Sequence, residues 1–328
     1  MLGVSTVPAE RPVHPGAERP VTGGVVVALL TVYLVWGSTY LAIKYTVTDL
    51  PPLLAMGVRF LLAGALIAGL VLLVSGRPAF RMTGPEARTA ALCGLFLLVG
   101  GNGLVAIAEQ DVDSGLAALL IAGTPLWVVV LRALLRDRPS TATVLGLLLG
   151  MAGVVVLLLP GVSGAAALPP LLLLCLSSIL WSCGTVLATR RPMPADPFAT
   201  TVVEMAVGGA AMVVLGSLGG EWGRLDVGAV GTSAWIAFAY LVVVGSLAGY
   251  SAYVWLLARA PLSLATTYAY VNPAVAVALG AVFLDEPLTA SVLGGGAVII
   301  AAVALVISAE SRSRHRPVPS DAVPAEPA

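Results

Sequence analysis

Apolar runs of about 20 residues follow one another along nearly the whole 328-residue chain, and no other feature constrains its fold as tightly. Bounded by charge, Pro or Gly, they fall near 22–46, 53–74, 87–108, 114–135, 140–159, 169–188, 198–218, 233–257, 263–283 and 288–308. A helix needs about 20 such residues to cross the roughly 30 Å hydrocarbon core of a bilayer, where it satisfies its own backbone hydrogen bonds. The expected fold is therefore an all-α integral membrane bundle of ten transmembrane helices. The chain is 59% hydrophobic and 10% charged. Soluble domains average roughly 45–50% and 25%, so little is left to form a domain outside lipid.

Residues 1–21 are polar and Pro-rich, and are expected to form a disordered cytoplasmic tail; residues 309–328, with Arg312, Arg314, His315 and Arg316, form a second. The first apolar run is too long for a cleavable signal peptide and lacks a small-residue cleavage site, so it is expected to stay as a span. Lys plus Arg equal Asp plus Glu at 17 each, which leaves no basic face for nucleic acid. Cys93, Cys175 and Cys183 all sit in apolar runs and read as small buried hydrophobes. Both histidines, His14 and His315, lie in the tails, so no span carries a histidine metal site or a histidine-assisted nucleophile. No catalytic residue, metal or cofactor is expected, and an integral-membrane enzyme is the weaker of the class readings. Gly100-Gly101-x-Gly103 lies inside a span, without the strand-loop-helix setting of a phosphate loop.

Orientation follows from the basic residues near span ends. With the N-terminus inside, the cytoplasmic segments hold Arg11, Arg19, Arg77, Arg81, Arg88, Arg132, Arg136, Arg138, Arg190, Arg191, Arg259, Arg312, Arg314 and Arg316. The outer segments hold Asp49, Glu109, Asp111, Asp113, Glu221, Asp226, Asp285 and Glu286, with Arg224 as the clear basic exception. Both termini are expected in the cytoplasm of a cell whose inner (plasma) membrane holds the protein.

The two halves match at a separation of about 145 to 148 residues: Trp36 with Trp181, Arg59 with Glu204, Pro125 with Pro273, Asp137-x-Pro139 with Asp285-x-Pro287, Gly146 with Gly294. This gives a first repeat over 22–160 and a second over 167–308. Five spans each, an odd number, make the halves antiparallel, and the basic Arg136-Asp137-Arg138 loop is aligned with the acidic Leu284-Asp285-Glu286 loop. Two inverted five-helix repeats are the architecture of carriers that work by alternating access.

The residues Trp36-Gly37-Ser38-Thr39-Tyr40-Leu41-Ala42-Ile43-Lys44, Pro51-Pro52 and Arg59-Phe60-Leu61-Leu62-Ala63-Gly64, with the run 118–161 and the stretch from Asn272-Pro273 to Glu286-Pro287, resemble the EamA family of the drug/metabolite transporter superfamily over about residues 25–308. The resemblance implies two inverted five-helix repeats around a central cavity and export of amino acids, related metabolites or toxic compounds. Sugar-nucleotide and triose-phosphate carriers are more distant relatives and supply the alternative substrate class. No nucleotide-binding domain is expected, so energy is expected to come from a gradient or from the solute. A monomer and a homodimer both stay open.

Ionisable groups at membrane depth are functional candidates by default. Glu204, about two turns into the seventh span, reads as a proton-coupling or amine-binding carboxyl, or as an acid paired near the inner interface. Arg59 reads as a bidentate partner for a carboxylate substrate, or as a clamp on outer-loop groups such as Asp49. Lys44 either attracts anions or snorkels. Pro125 and Pro273 are expected to kink the fourth and ninth spans, with Thr124 and Asn272 beside them near the midplane facing the cavity. Trp36, Trp181, Tyr250, Tyr253, Tyr268 and Tyr270 fall inside spans and either line a cation-attracting pocket or pack helices. Thr39 and Asn102 complete the candidate cavity residues. Gly146-x-x-x-Gly150 and Gly294-Gly295-Gly296 are expected to bring the fifth and tenth spans together. Glu109, Asp111 and Asp113 read as acids of a solvated outer loop.

Overall fold

The computed structural model describes residues 22–136, 140–162, 167–259 and 268–314, and every regular element among them is helical. In chain order these are α1 (Gly23–Asp49), α2 (Pro52–Val74), α3 (Gly84–Ala108), α4 (Ser114–Leu134), α5 (Thr141–Val162), α6 (Leu168–Arg190), α7 (Pro197–Leu218), α8 (starting at Thr232 and ending with Gly249–Arg259), α9 (Tyr268–Phe283) and α10 (Ala290–Arg314). Seven of them, α1 to α4 and α6 to α8, are long and apolar enough to cross a membrane. The expected runs near 140–159, 263–283 and 288–308 fall on shorter apolar stretches, Thr141–Leu157, Val271–Phe283 and Ala290–Val306.

Starts follow local chemistry. Pro52, Pro85, Pro170 and Pro197 occupy first turns, where a missing N–H costs little. Asp196 caps α7 by accepting from Phe198 N at 2.8 Å and Ala199 N at 3.0 Å. Pro139 lies outside the described residues. Pro287 precedes α10 instead of opening it, because the Thr289 hydroxyl accepts from Val292 N and sets the start at Ala290. That helix also runs on to Arg314, past the expected boundary at 308.

The helices meet in pairs: α2 packs on α7, α4 on α9, α5 on α10, α1 on α8 and α9, and α6 on α3 and α4. Glycines allow the closest approaches. A Cβ on Gly57 would lie 2.8 Å from the carbonyl oxygen of Gly209, and one on Gly209 would lie 2.9 Å from that of Gly57. Gly146 faces Val306, but Gly150 faces Leu126 of α4, and the α5–α10 crossing is completed by Gly153 against Gly295. Outward faces are apolar, with Leu73, Val74 and Leu218 among the most exposed, as expected for lipid-facing surface.

Two features were not legible in the helical reading. α3 and α8 both contain π-helical stretches, Leu95–Gly103 and Leu241–Ala248, at matching positions of the two halves. Such widened turns collect at functional sites. The acidic loops also cap helices from a distance. Glu221, 3% exposed, accepts from Leu53 N at 3.3 Å and Leu54 N at 2.8 Å at the start of α2. Glu286 accepts from Ser114 N at 2.6 Å and Gly115 N at 2.9 Å at the start of α4. Removing such an acceptor strands buried donors, so Glu221→Ala is expected to lower stability by about 1–3 kcal/mol, read as a lower midpoint in thermal or denaturant unfolding of the purified protein.

Candidate functional site

The π stretch of α8 anchors one group of residues. Arg59 of α2, 4% exposed, donates from Nε to Ser246 Oγ at 3.1 Å and from Nη1 to Met56 Sδ at 3.5 Å, with its guanidinium 4.6 Å from the Phe60 ring centroid. Among the described residues no carboxylate pairs with it; Asp49, the expected clamp partner, accepts from Gly231 N at 2.8 Å instead. Gly245 leaves room for both Arg59 and Thr39, and Thr39 donates to Trp36 O at 2.6 Å. One turn further along α8, the Trp36 indole lies against Gly249, which a side chain there would displace. Trp36, Tyr253 and Tyr268 then form a three-ring cluster, with centroids 4.9, 5.1 and 5.6 Å apart and two of the three contacts edge-to-face. Arg59, Thr39, Trp36, Tyr253 and Tyr268 therefore form one continuous chain of neighbours between α1, α2, α8 and α9.

A second group lies where α3 and α4 meet α6. Trp181 covers Gly101, as Trp36 covers Gly249. Asn102 is half-buried in the π stretch beside it. α4 breaks at Ala122–Gly123, just before Pro125. The proline's missing N–H frees the Ile121 carbonyl, which instead accepts from Thr124 Oγ1 at 2.6 Å and Ser178 Oγ at 3.4 Å. Thr124 and Ser178 hydroxyls are 2.8 Å apart, and Ser182 donates to Thr124 O at 3.0 Å. Thr124 thus stitches α4 to α6. In α9, Pro273 sits inside the helix, and Asn272, 9% exposed, reaches the carbonyls of Tyr268 at 3.2 Å and Tyr33 at 3.3 Å, tying α9 to α1.

Glu204, 8% exposed, stands apart from Arg59. Gly57 meets Val213 and Gly64 meets Met205, which sets Arg59 about 10 Å along α7 from Glu204. Tyr250 neighbours Glu204 and Thr201, and so lies between the carboxyl and the aromatic cluster. The Tyr270 side chain lies outside what is described.

At the acidic end, Lys44 is held by backbone. Its ammonium donates to the carbonyls of Glu109, Gln110 and Val112 at 2.6, 3.4 and 3.1 Å, capping the end of α3. The solvated-loop reading of Glu109 is corrected: its side chain is 0% exposed and neither oxygen has a donor. Burial first, and then the charge of Glu286, push it well above the usual carboxylate range, against the opposing pull of Lys44. Among the described residues no cluster of His, Cys, Asp and Glu is arranged to hold a metal.

The residues missed from sequence are Ser246, Ser177, Ser178, Ser182 and Tyr240, whose hydroxyl is 2.6 Å from Ser38 Oγ. Their signal was present: Ser246 is the one hydroxyl in Leu241-Val242-Val243-Val244-Gly245-Ser246-Leu247-Ala248, and Ser178 and Ser182 are one turn apart at mid-span. Beside Tyr240 a cavity of ≈ 470 Å³, lined by Ser38, Leu41, Tyr45, Ile236 and Leu279, opens on the flank of the bundle.

A membrane-embedded helical bundle with a buried guanidinium and an aromatic cluster between its halves has the features of a transporter. The chain belongs to the EamA-like transporter family, whose pattern matches residues 23–159 and again 168–308. It is 36% identical over 281 residues to the "Uncharacterized inner membrane transporter YedA" of Escherichia coli (strain K12), covering 85% of this chain and 89% of that one. It is 26% identical over 294 residues to the "Probable amino-acid metabolite efflux pump" of Salmonella typhimurium, covering 83% and 91%. A solved crystal structure at 22% identity superposes with a TM-score of 0.60 over 89% of this chain and 99% of that one, a likeness of fold. The family and these names are those of transporters rather than enzymes.

Proposed function

We propose that the protein is a secondary transporter that exports amino acids or related small metabolites across the inner membrane by alternating access between two inverted five-helix repeats. The observation that carries the substrate class is the buried Arg59, whose charge meets no carboxylate among the described residues while an aromatic cluster lies one turn away along α8. One guanidinium suits one carboxylate, and ring faces suit an ammonium. Arg59 is the one cation of its group among the described residues, and Lys44, further along α1, is committed to backbone carbonyls, which favours the amino-acid reading over a phosphometabolite.

The repeat reading is supported by the packing. Exchanging the halves turns the contacts of α1 with α8 and α9 into those of α6 with α3 and α4, and leaves α2–α7, α4–α9 and α5–α10 unchanged. The two tryptophans and the two π stretches obey the same exchange, and each of α4 and α9 is followed by a left-handed residue, Arg136 and Asp285, one position out of register. With five spans in each half, both termini lie in the cytoplasm and the acidic loops outside. Glu204 serves as a coupling carboxyl on the basic-loop side.

Metabolite profiling of the medium tests this reading. A solute of the amino-acid class should rise outside overexpressing cells and fall outside deletion cells. Equal profiles in the two strains would refute export. Reporter tags after residues 160 and 320 are expected on opposite faces of the membrane, and tags on one face would remove the inverted arrangement.

A further inference from the structure

We propose that Glu109 is a proton-binding site at the acidic end of the bundle. Its carboxyl is held as the neutral acid while Lys44 is latched on the end of α3, and it exchanges its proton with water only when α1 parts from the α3–α4 loop. The site deepens the transporter reading: its role in coupling rests on that reading, whereas its existence does not.

Glu109 directly follows α3 and is sealed at 0% exposure, with both carboxyl oxygens lacking a donor. The nearby cation does not satisfy it, because the Lys44 ammonium is spent on three backbone carbonyls, including that of Glu109 itself. The ionisable groups facing it are Tyr40 and Lys44 from α1 and Glu286 from the α9–α10 loop, and Asp113 of its own loop faces the same Lys44 and Glu286. α6 carries no charged residue besides Arg190 at its far end, and Arg59 of α2 is engaged with Ser246 and Met56. The two oxygens of Glu286 accept from backbone donors, Ser114 N and Gly115 N. Lys44 and Glu286 thus already balance one positive charge with one negative. An ionised Glu109 would add a buried negative charge with no hydrogen bond, an arrangement proteins avoid by protonating the acid. On the α1 side Tyr40 and Lys44 face the carboxyl, the Lys44 ammonium is bonded to the end of α3, and one residue further on the Tyr45 hydroxyl donates to Phe283 O at 3.1 Å. Withdrawal of α1 therefore exposes the carboxyl to water and releases the proton on the acidic-loop side.

A proton held more tightly in the folded state contributes stability that is complete at low pH and disappears as pH rises past the ordinary carboxylate range. The test is thermal unfolding of the purified full-length protein between pH 5 and pH 9, comparing wild type with Glu109→Gln, a neutral isostere. The wild-type midpoint is expected to fall with pH relative to Glu109→Gln, and the same comparison in a Glu204→Gln background should preserve that difference. Parallel curves would overturn the site. If Glu109→Gln does not fold, infrared spectra of Glu204→Gln in lipid at neutral pH should still contain the carbonyl band of a buried carboxylic acid that resists deuterium exchange; absence of the band is the contrary result. A band without any pH-gradient-dependent export would leave the proton site standing and remove its role in transport.

Discussion

Arg59→Gln is expected to cut export of the cargo at least about thirtyfold, with Arg59→Lys intermediate. The guanidinium is held by Ser246 Oγ and Met56 Sδ and has no carboxylate of its own among the described residues, so a substrate carboxylate would supply its missing counter-charge. Truncating one partner of a buried charge pair costs about 2–5 kcal/mol, and each 1.4 kcal/mol is tenfold in affinity. Lysine keeps the charge but not the bidentate fork, hence the partial effect. The readout is efflux from preloaded cells or proteoliposomes, using the solute found by profiling. Because Arg59 is also packed, its unfolding midpoint must be measured alongside, and Ser246→Ala isolates the loss of its anchoring bond. Unchanged efflux from folded Arg59→Gln protein would make Arg59 a packing residue and leave the carboxylate reading without support.

What the sequence announced and what it hid divide along a physical line. Arg59, Glu204 and Trp36 stood out because a charge or an indole inside an apolar run is costly enough to need a reason. Helix positions were legible because span length is fixed by the bilayer, and starts such as Asp196-Pro197 are local chemistry. The π stretches were not legible, since widening a turn leaves the hydrophobic pattern unchanged. Glu109 was read as a loop acid because nothing in its neighbours in sequence says that Lys44, 65 residues earlier, and Glu286, far later, will close over it. The roles of Thr124 and Asn272 were half legible. Their place beside a mid-span proline was visible, but the stitches to Ser178 and to Tyr33 depend on which helix lies opposite.

Gly57→Ala is expected to destabilise the fold by about 1–3 kcal/mol and Gly57→Val to prevent accumulation of folded protein. A Cβ at Gly57 would lie 2.7 Å from Val213 Cγ2, 2.8 Å from Gly209 O and 2.9 Å from Val213 N. Two of these atoms are backbone of α7 and cannot rotate away, so the helices must separate. Gly69 is the control on the same helix: no atom lies within 4 Å of a Cβ placed there, and Gly69→Ala should be neutral or stabilising by up to about 1 kcal/mol through helix propensity. Gly209→Ala breaks the same contact from the other side, so the double variant should cost less than the sum of the two. The comparison is made by unfolding the purified variants, and equal stability of Gly57→Ala and Gly69→Ala would mean that α2 and α7 tolerate a wider spacing. Function should follow the same contact. Arg59 lies two residues beyond Gly57, so a displaced α2 carries the guanidinium away from Ser246 on α8; folded Gly57→Ala protein is therefore expected to lose efflux as well as stability, while Gly69→Ala keeps both.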